Sequence, residues 1–323
     1  MLSAAHVHAP AYAGVLQTLP DAALAVIWDD DPRRGSAFAQ QYGVPFLPDL
    51  EEPGLWDRCD AVLITAENAK HAALCRAACR AGKHVLCEKP LATTNADAAA
   101  MIAAAADAGV TLATAFPLRH NLPARAVKRA LDEGVIGEVL VVRSTNHGQV
   151  PPGWFLDPAL AGGGAVMDHT VHVLDMLRWY LQKEPVEVYA EISHGLHGLP
   201  VEDAAFLTIT FASGVVATLD PSWSRPASFP TWGDLTMEIA GSKGTINLDA
   251  EAQKIMYYPA GGTATEWLPW GNDENRALIA DFVAAVREGR PAAATGQDGA
   301  RALAVALAAY ESAASGRPAL VPG

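Results

Sequence analysis

The sequence predicts an α/β protein of two domains: a doubly wound parallel sheet over residues 1–118, then an α/β domain with a large, mainly antiparallel open sheet over residues 119–323. Three observations carry this. Strand and helix patterns alternate from Leu24 to Phe116, as parallel strands joined by crossover helices do. From Pro185 onward, alternating apolar and polar runs are joined by turns such as Ala212-Ser213-Gly214 and Gly241-Ser242-Lys243-Gly244, the connection antiparallel neighbours use. Finally, 323 residues, half of them apolar, suit two hydrophobic cores better than one.

In the first domain a helix runs to about Leu19, and Leu24–Trp28 is a strand. Proline at position 32 opens a helix that ends near Tyr42. Ala61–Thr65 is a strand, followed by a helix from Asn68 to Ala81 stopped by Gly82. His84–Cys87 is the next strand, then a helix from Thr94 to Ala108 stopped by Gly109, then a strand over Thr111–Phe116. In the second domain Arg119 opens a helix to about Glu133, Val139–Asn146 is a strand, and a Gly/Pro-rich loop spans His147–Gly153. A buried helix covers Ala165–Trp179, and strands follow at Val186–Ile192, Ala204–Phe211, Val215–Asp220, Leu235–Ala240, Thr245–Leu248 and Lys254–Tyr258. Helices near Asn272–Arg287 and Gly299–Ser312 close the chain.

The formal net charge of −13, with no Lys/Arg run, argues against nucleic-acid or anionic-membrane partners. Cys59, Cys75, Cys79 and Cys87 lack a second pair at zinc-ligand spacing and read as reduced thiols. No amino-terminal leader pattern and no apolar run of membrane-spanning length occurs, so the chain is expected to be soluble and cytoplasmic.

The chemistry begins at Glu88 and Lys89. The run Val85-Leu86-Cys87 stops there, and Pro90 ends the strand because it brings no N–H and restricts Lys89. A carboxylate and an ammonium therefore sit at the carboxyl end of a parallel strand, where open α/β sheets bind ligands. For the pair alone a surface salt-bridged strand end is the better reading, and its companions reverse that preference. Asp29 ends the first long strand, where an acid accepts both ribose hydroxyls of an adenosine and repels a 2′-phosphate. NAD is expected; Arg33 and Arg34 leave NADP open, and a plain turn aspartate is the alternative.

A dinucleotide fold needs Gly-x-Gly-x-x-Gly after its first strand. That register holds Ser3-Ala4-Ala5-His6-Val7-His8, with none of the glycines and only Met1 and Leu2 left of the strand. Either the native chain starts upstream, or this turn holds the cofactor through helix N–H groups with histidine help. The second choice makes Ser3, Ala5, His6, Val7 and His8 cofactor contacts.

In the second domain Gly162-Gly163-Gly164 precedes a helix on which Asp168, His172, Asp175 and Trp179 form one stripe, otherwise surrounded by apolar residues. Buried charges must be paired, so the stripe is either a satisfied internal network or a proton-handling site. The glycines would let a loop, backbone or ligand approach the helix start.

With these residues in hand, the chain resembles the Gfo/Idh/MocA oxidoreductases, the family of glucose–fructose oxidoreductase and inositol dehydrogenase. The resemblance rests on Glu88-Lys89-Pro90, on Gly162-Gly163-Gly164 followed by Asp168 and His172, on Thr65, Asn68 and His71, on Gly241-Ser242-Lys243-Gly244, and on Ala309-Tyr310-Glu311-Ser312. It implies a Rossmann-type domain and NAD(P)-dependent oxidation of sugars, cyclitols or related polyols. It also implies a homodimer or homotetramer assembled through the open sheet. Cofactor contacts are then expected at Asp29, Thr65, Asn68, His71, Glu88, Lys89 and Pro90 in addition to the turn.

The expected chemistry is hydride transfer between nicotinamide and a secondary alcohol. His172 is the natural base for the hydroxyl proton and Asp168 its orienting partner, while the resemblance implies that Lys89 points at the reacting oxygen, where its charge would stabilise developing alkoxide. This requires the Lys89 ammonium and the His172 imidazole to share a cavity. Arg119, Asn146, His147, Trp154 and His169 are expected substrate contacts. Two other classes compete: a binding protein that holds a dinucleotide or metabolite without turnover, and a metal site at His147, His169 and His172 with Asp168. The histidine spacing matches no compact metal motif, and no metal is expected.

Overall fold

The computed structural model of the chain describes residues 1–51, 53–252, 254–257 and 266–322. They form two compact units, Met1–Pro117 with Asp273–Leu303, and Leu118–Asn272 with Ala304–Gly323.

The first unit holds strands β1 (Ile27–Trp28), β2 (Phe46–Leu47), β3 (Ala61–Ile64), β4 (His84–Cys87) and β5 (Leu112–Thr114). The pairs β1–β2, β3–β4 and β4–β5 are all parallel. Leu2 joins the two ladders, bridging Trp28 on one side and Ile64 on the other. Its N–H donates to Leu63 O at 2.8 Å, and its carbonyl accepts from Thr65 at 3.0 Å. The order is thus β2, β1, Leu2, β3, β4, β5, with the first segment central, as in a doubly wound dinucleotide fold. Strand β1 is shorter than the Leu24–Trp28 pattern, and its described parallel partners are β2 and Leu2.

Helices α1 (Ala9–Thr18), α2 (Pro32–Tyr42), α3 (Pro53–Trp56), α4 (His71–Arg80) and α5 (Asn95–Ala108) connect these strands. Local chemistry sets their ends. Asp31 accepts from the Arg33 and Arg34 amides at the start of α2, and Gly43 ends it in the left-handed region. Thr94 caps α5 through the Asp97 amide, and Gly109 ends it at φ 65°. Tyr12, Leu16, Ile27, Phe38, Leu63 and Leu86 share one buried cluster. On α4 the buried Cys75 and Cys79 sulfurs lie 3.9 Å apart as free thiols.

The second unit is built on a seven-stranded sheet of β6 (Val139–Gly148), β7 (Pro185–Ser193), β8 (Ala204–Phe211), β9 (Val216–Ser222), β10 (Gly233–Gly241), β11 (Gly244–Asp249) and β14 (Ala319–Leu320). A separate antiparallel hairpin pairs β12 (Lys254–Tyr257) with β13 (Glu266–Pro269); Tyr258, assigned to the same strand from sequence, lies outside the described residues. The sheet order is β11-β10-β6-β9-β8-β7-β14. Five of its contacts are antiparallel and β6–β9 is parallel, so the sheet is mixed where sequence gives mainly antiparallel. Alternation sorts its faces: Ala205, Leu207, Ile209 and Phe211 are buried, while Phe206 between them is 67% exposed.

Helices α6 (Leu122–Asp132), α7 (Pro158–Ala161) and α8 (Ala165–Leu181) belong to this unit. Helix α6 starts after Asn121, whose side chain accepts from the Ala124 amide, with proline in its first turn. The sequence reading started it at Arg119. Strand β6 continues through His147 and Gly148, which the sequence reading gave to a loop; both residues pair with β10 and Gly148 is buried. Two helices close the chain, α9 (Glu274–Glu288) and α10 (Gly296–Ser315). A domain boundary at 118/119 puts α9 in the second domain, but Leu278, Ile279 and Phe282 bury themselves in the core of the first unit. Sequence order conceals that return. No helix among the described residues is long and apolar enough to cross a membrane.

Candidate active site

At the carboxyl ends of the parallel strands, Ser3 takes the first position of the turn at φ 70°, the left-handed conformation that normally calls for glycine. The turn is held from outside. The Ala4 N–H and the Ser3 hydroxyl donate to Asp29 Oδ2 at 2.7 and 3.2 Å. Thr65 Oγ1 donates to Ser3 O at 2.6 Å, and the His6 N–H donates to Thr65 O at 2.9 Å. Arg34 forks onto Asp29, Nε to Oδ2 and Nη2 to Oδ1. Burial alone would raise the Asp29 pKa; the Arg34 hydrogen bonds and the Ala4 and Asp31 amides together hold it below the ordinary carboxylate value. Arg33 is exposed, so Arg34 is the arginine engaged at this strand end.

One strand over, Glu88 and Lys89 are both buried. Glu88 Oε2 accepts from the Lys89 amide at 2.9 Å. Its Oε1 lies 2.9 Å from His8 Nδ1 and 3.8 Å from His6 Nδ1. Burial would raise the Glu88 pKa, but the charges of His6 and His8 keep it well below the usual range. The Lys89–Pro90 peptide is cis. His71 has no exposed surface: its Nδ1 is 3.0 Å from Pro90 O and its Nε2 3.1 Å from Ala66 O. Burial lowers its pKa. It braces the Glu88-Lys89-Pro90 turn from behind, which corrects its expected place as a cofactor contact. Asn68 is buried in the short 3₁₀ turn before α4, and Val7 is 40% exposed.

In the second unit the start of α8 explains the glycine run. Glu202, from the loop before β8, accepts through Oε1 from the Gly164 and Val166 amides and from Tyr310, and through its backbone carbonyl from Ala165. A Cβ at Gly163 would collide with the Tyr310 hydroxyl, and one at Gly164 with the Glu202 backbone. The approaching group is a protein loop, one of the options the glycines allowed. The stripe on α8 divides. Asp168 Oδ2 accepts from Trp223 Nε1 at 3.2 Å and stands 3.2 Å from His169 Nε2. Asp175, fully buried, receives both prongs of Arg119 at 2.8 and 2.6 Å. Arg119, expected on the substrate, is instead held in this internal pair.

His172 is half-buried on α8. Asn146 and His169 tie β6 to α8: His169 Nδ1 donates to Asn146 O at 2.8 Å, and Asn146 Nδ2 donates to His169 O at 3.1 Å. His147 lies between two carboxylates, Nε2 3.0 Å from Asp220 and Nδ1 3.5 Å from Asp234. Burial lowers its pKa, but hydrogen bonds to Asp220 and Asp234 outweigh that and raise it to about 9. Trp154 stacks on Phe155 with ring centres 3.9 Å apart. Among the described residues, metal-competent side chains converge at His6, His8 and Glu88, not at His147, His169 and His172.

Residues 4–116 match the oxidoreductase family with an NAD-binding Rossmann fold, and residues 124–247 match the GFO/IDH/MocA C-terminal domain. A 1,5-anhydro-D-fructose reductase from Ensifer adhaerens is 37% identical over 297 residues, 88% of this chain and 87% of that protein. The chain belongs to the GFO/IDH/MocA oxidoreductases. A myo-inositol 2-dehydrogenase from Thermotoga maritima is 31% identical over 273 residues, covering 81% of this chain and 79% of its own. A protein from gentamicin A biosynthesis, crystallised in complex with NAD, superposes with a TM-score of 0.91 at 27% identity, covering 100% of this chain and 95% of its own. These names support the catalytic reading over a non-catalytic binding protein.

In this GFO/IDH/MocA oxidoreductase the residues present fit a dinucleotide. Ser3 keeps the turn's left-handed backbone without the glycine, Leu2 seats that turn at the centre of the parallel sheet, and Asp29 stands at the neighbouring strand end. Sequence reasoning missed the fork of Arg34 on Asp29, the Glu202 cap and the Asp220/Asp234 clamp. The spacing of Arg34 five residues after Asp29 was the one local signal available.

Proposed function

We propose that this chain transfers a hydride reversibly between NAD and a secondary alcohol of a sugar, cyclitol or related polyol. The observation that carries the reading is the buried Glu88-Lys89 pair at the carboxyl end of β4, inside a unit of an NAD-binding oxidoreductase family. Bound NAD supplies the hydride acceptor. Lys89 places a positive charge for the alcohol oxygen as it becomes alkoxide, and Glu88, fixed by the Lys89 amide, sets the course of the chain there. His172 takes the hydroxyl proton, and Asp168, one helical turn earlier on α8, supplies the negative charge that favours the imidazolium. Asn146, His147, Trp154 and His169 line the substrate side.

The same reading includes NAD in preference to NADP, since the Asp29 carboxylate repels a 2′-phosphate. It includes a cytoplasmic homodimer or homotetramer joined through the open sheet face that carries Phe206. The named relatives point to cyclic polyols and anhydro sugars as first substrates to try. Myo-inositol with NAD, and 1,5-anhydro-D-fructose with NADH or NADPH, are followed by nicotinamide absorbance. Turnover that disappears in Lys89→Ala and in His172→Ala is the expected result. Turnover retained by either variant removes that residue's role.

A further inference from the structure

We propose that His6, His8 and Glu88 form a binding site for a divalent transition metal of the zinc class. Two histidines with one residue between them on the Ser3–His8 turn face a carboxylate at the end of β4, 80 residues beyond His8 in sequence. Their three ligand atoms lie within 4.8 Å of one another. His6 and Glu88 are 2% and 1% exposed, while His8 is half-buried, which gives a closed wall and an open side. Two imidazole nitrogens and one carboxylate oxygen are a donor set that borderline divalent ions favour. Three protein ligands leave positions for water or an anionic oxygen.

A second observation comes from the hydrogen bonding. His6 Nδ1 accepts the His8 N–H at 3.2 Å, which fixes the ring and keeps Nδ1 3.8 Å from the same Glu88 oxygen that His8 Nδ1 approaches at 2.9 Å. A metal bound there would take over the Nδ1 lone pair that the His8 N–H now uses. The carboxylate is already oriented, because its other oxygen accepts from the Lys89 amide, the kind of outer support that ligating groups carry. The site shares the Ser3–His8 turn and Glu88 with the proposed cofactor site, and metal uptake is read without substrate or turnover, so its failure and the failure of the dehydrogenase reading are distinguishable.

The test is a Co²⁺ titration of the chelator-stripped full chain, followed by visible absorption, then displacement by Zn²⁺. One equivalent of Co²⁺ with the bands of a four- or five-coordinate site is expected. His6→Asn and His8→Asn should each weaken it by about 100-fold or more, while His84→Asn leaves it unchanged. Zn²⁺ should also raise the melting temperature of the wild type and not of His8→Asn, by linkage of binding to folding. If His6→Asn does not fold, the half-buried His8 carries the test. Absence of saturable one-to-one uptake, or uptake indifferent to both substitutions, overturns the proposal and leaves a proton-bridged His–Glu cluster.

Discussion

Arg34 closes a two-pronged fork on Asp29, Nε to Oδ2 at 2.9 Å and Nη2 to Oδ1 at 2.7 Å. The carboxylate at the end of β1, fully buried and also accepting from Ser3, Ala4 and Asp31, is thereby fixed in place and kept ionised. Asp29→Asn keeps the shape and removes the charge. Losing charge-assisted hydrogen bonds worth about 1.5–3 kcal/mol should lower kcat/KM with NAD by roughly 10- to 100-fold. Activity with NADP should fall less, or rise. Parallel assays with both cofactors decide it, and an unchanged NAD/NADP ratio would sink the assignment.

The proposed catalytic pair should differ in size of effect. Removing the Lys89 cation is expected to cost about 10²–10³ in kcat, in line with loss of one oxyanion donor. Removing the His172 base is expected to cost about 10²–10⁴. Circular dichroism and melting temperature should stay near the wild type for His172→Ala, because the residue is only half-buried.

Arg119 and Asp175 make a structural prediction. Arg119→Met strands a fully buried carboxylate and should destabilise the protein by about 3–5 kcal/mol. The double variant Arg119→Met, Asp175→Leu should recover most of that loss, because an apolar pair replaces a buried ion pair at little net cost. Urea denaturation of the four proteins in the cycle measures it. Equal losses in the single and double variants would contradict the pairing.

His147 gives a pH signature. Desolvation opposes its charge, but Asp220 and Asp234 raise its folded pKa from the ordinary imidazole value of about 6.5 to about 9. The sign follows: its contribution is fully present below the unfolded pKa and is lost as pH rises through about 9. Because the group is partly open to solvent, the contribution is discounted to on the order of 1 kcal/mol. Wild type should therefore exceed His147→Gln in melting temperature most at pH 6, with the gap narrowing toward pH 9.5. A gap that widens with pH would show the opposite charge state.

What was legible in the sequence was local. Glu88-Lys89-Pro90, Asp29 at a strand end and the glycines before α8 are read from neighbours in the chain, and the structure places each at the element boundary expected of it. Leu2 shows the reach of such reading: two residues still identify the central position of a parallel sheet. The stripe on α8 shows its limit. Helical spacing puts Asp168 and Asp175 on one side of a helix, but seven residues separate them by about 10 Å along the axis. The partner across from each is set by distant chain, Trp223 for one and Arg119 for the other. Read from sequence, His147 falls in a loop, and its clamp, Asp220 and Asp234, comes from two other strands whose register no local pattern records.

Helix α8 takes its first hydrogen bonds from Glu202, a side chain 38 residues downstream. During synthesis that helix therefore stays unanchored at its leading end until β7 and the loop beyond it have been made. One carboxylate then fixes how far the whole rod slides along its axis, and the imidazole at position 172 inherits its height from an amino acid on a different branch of the fold.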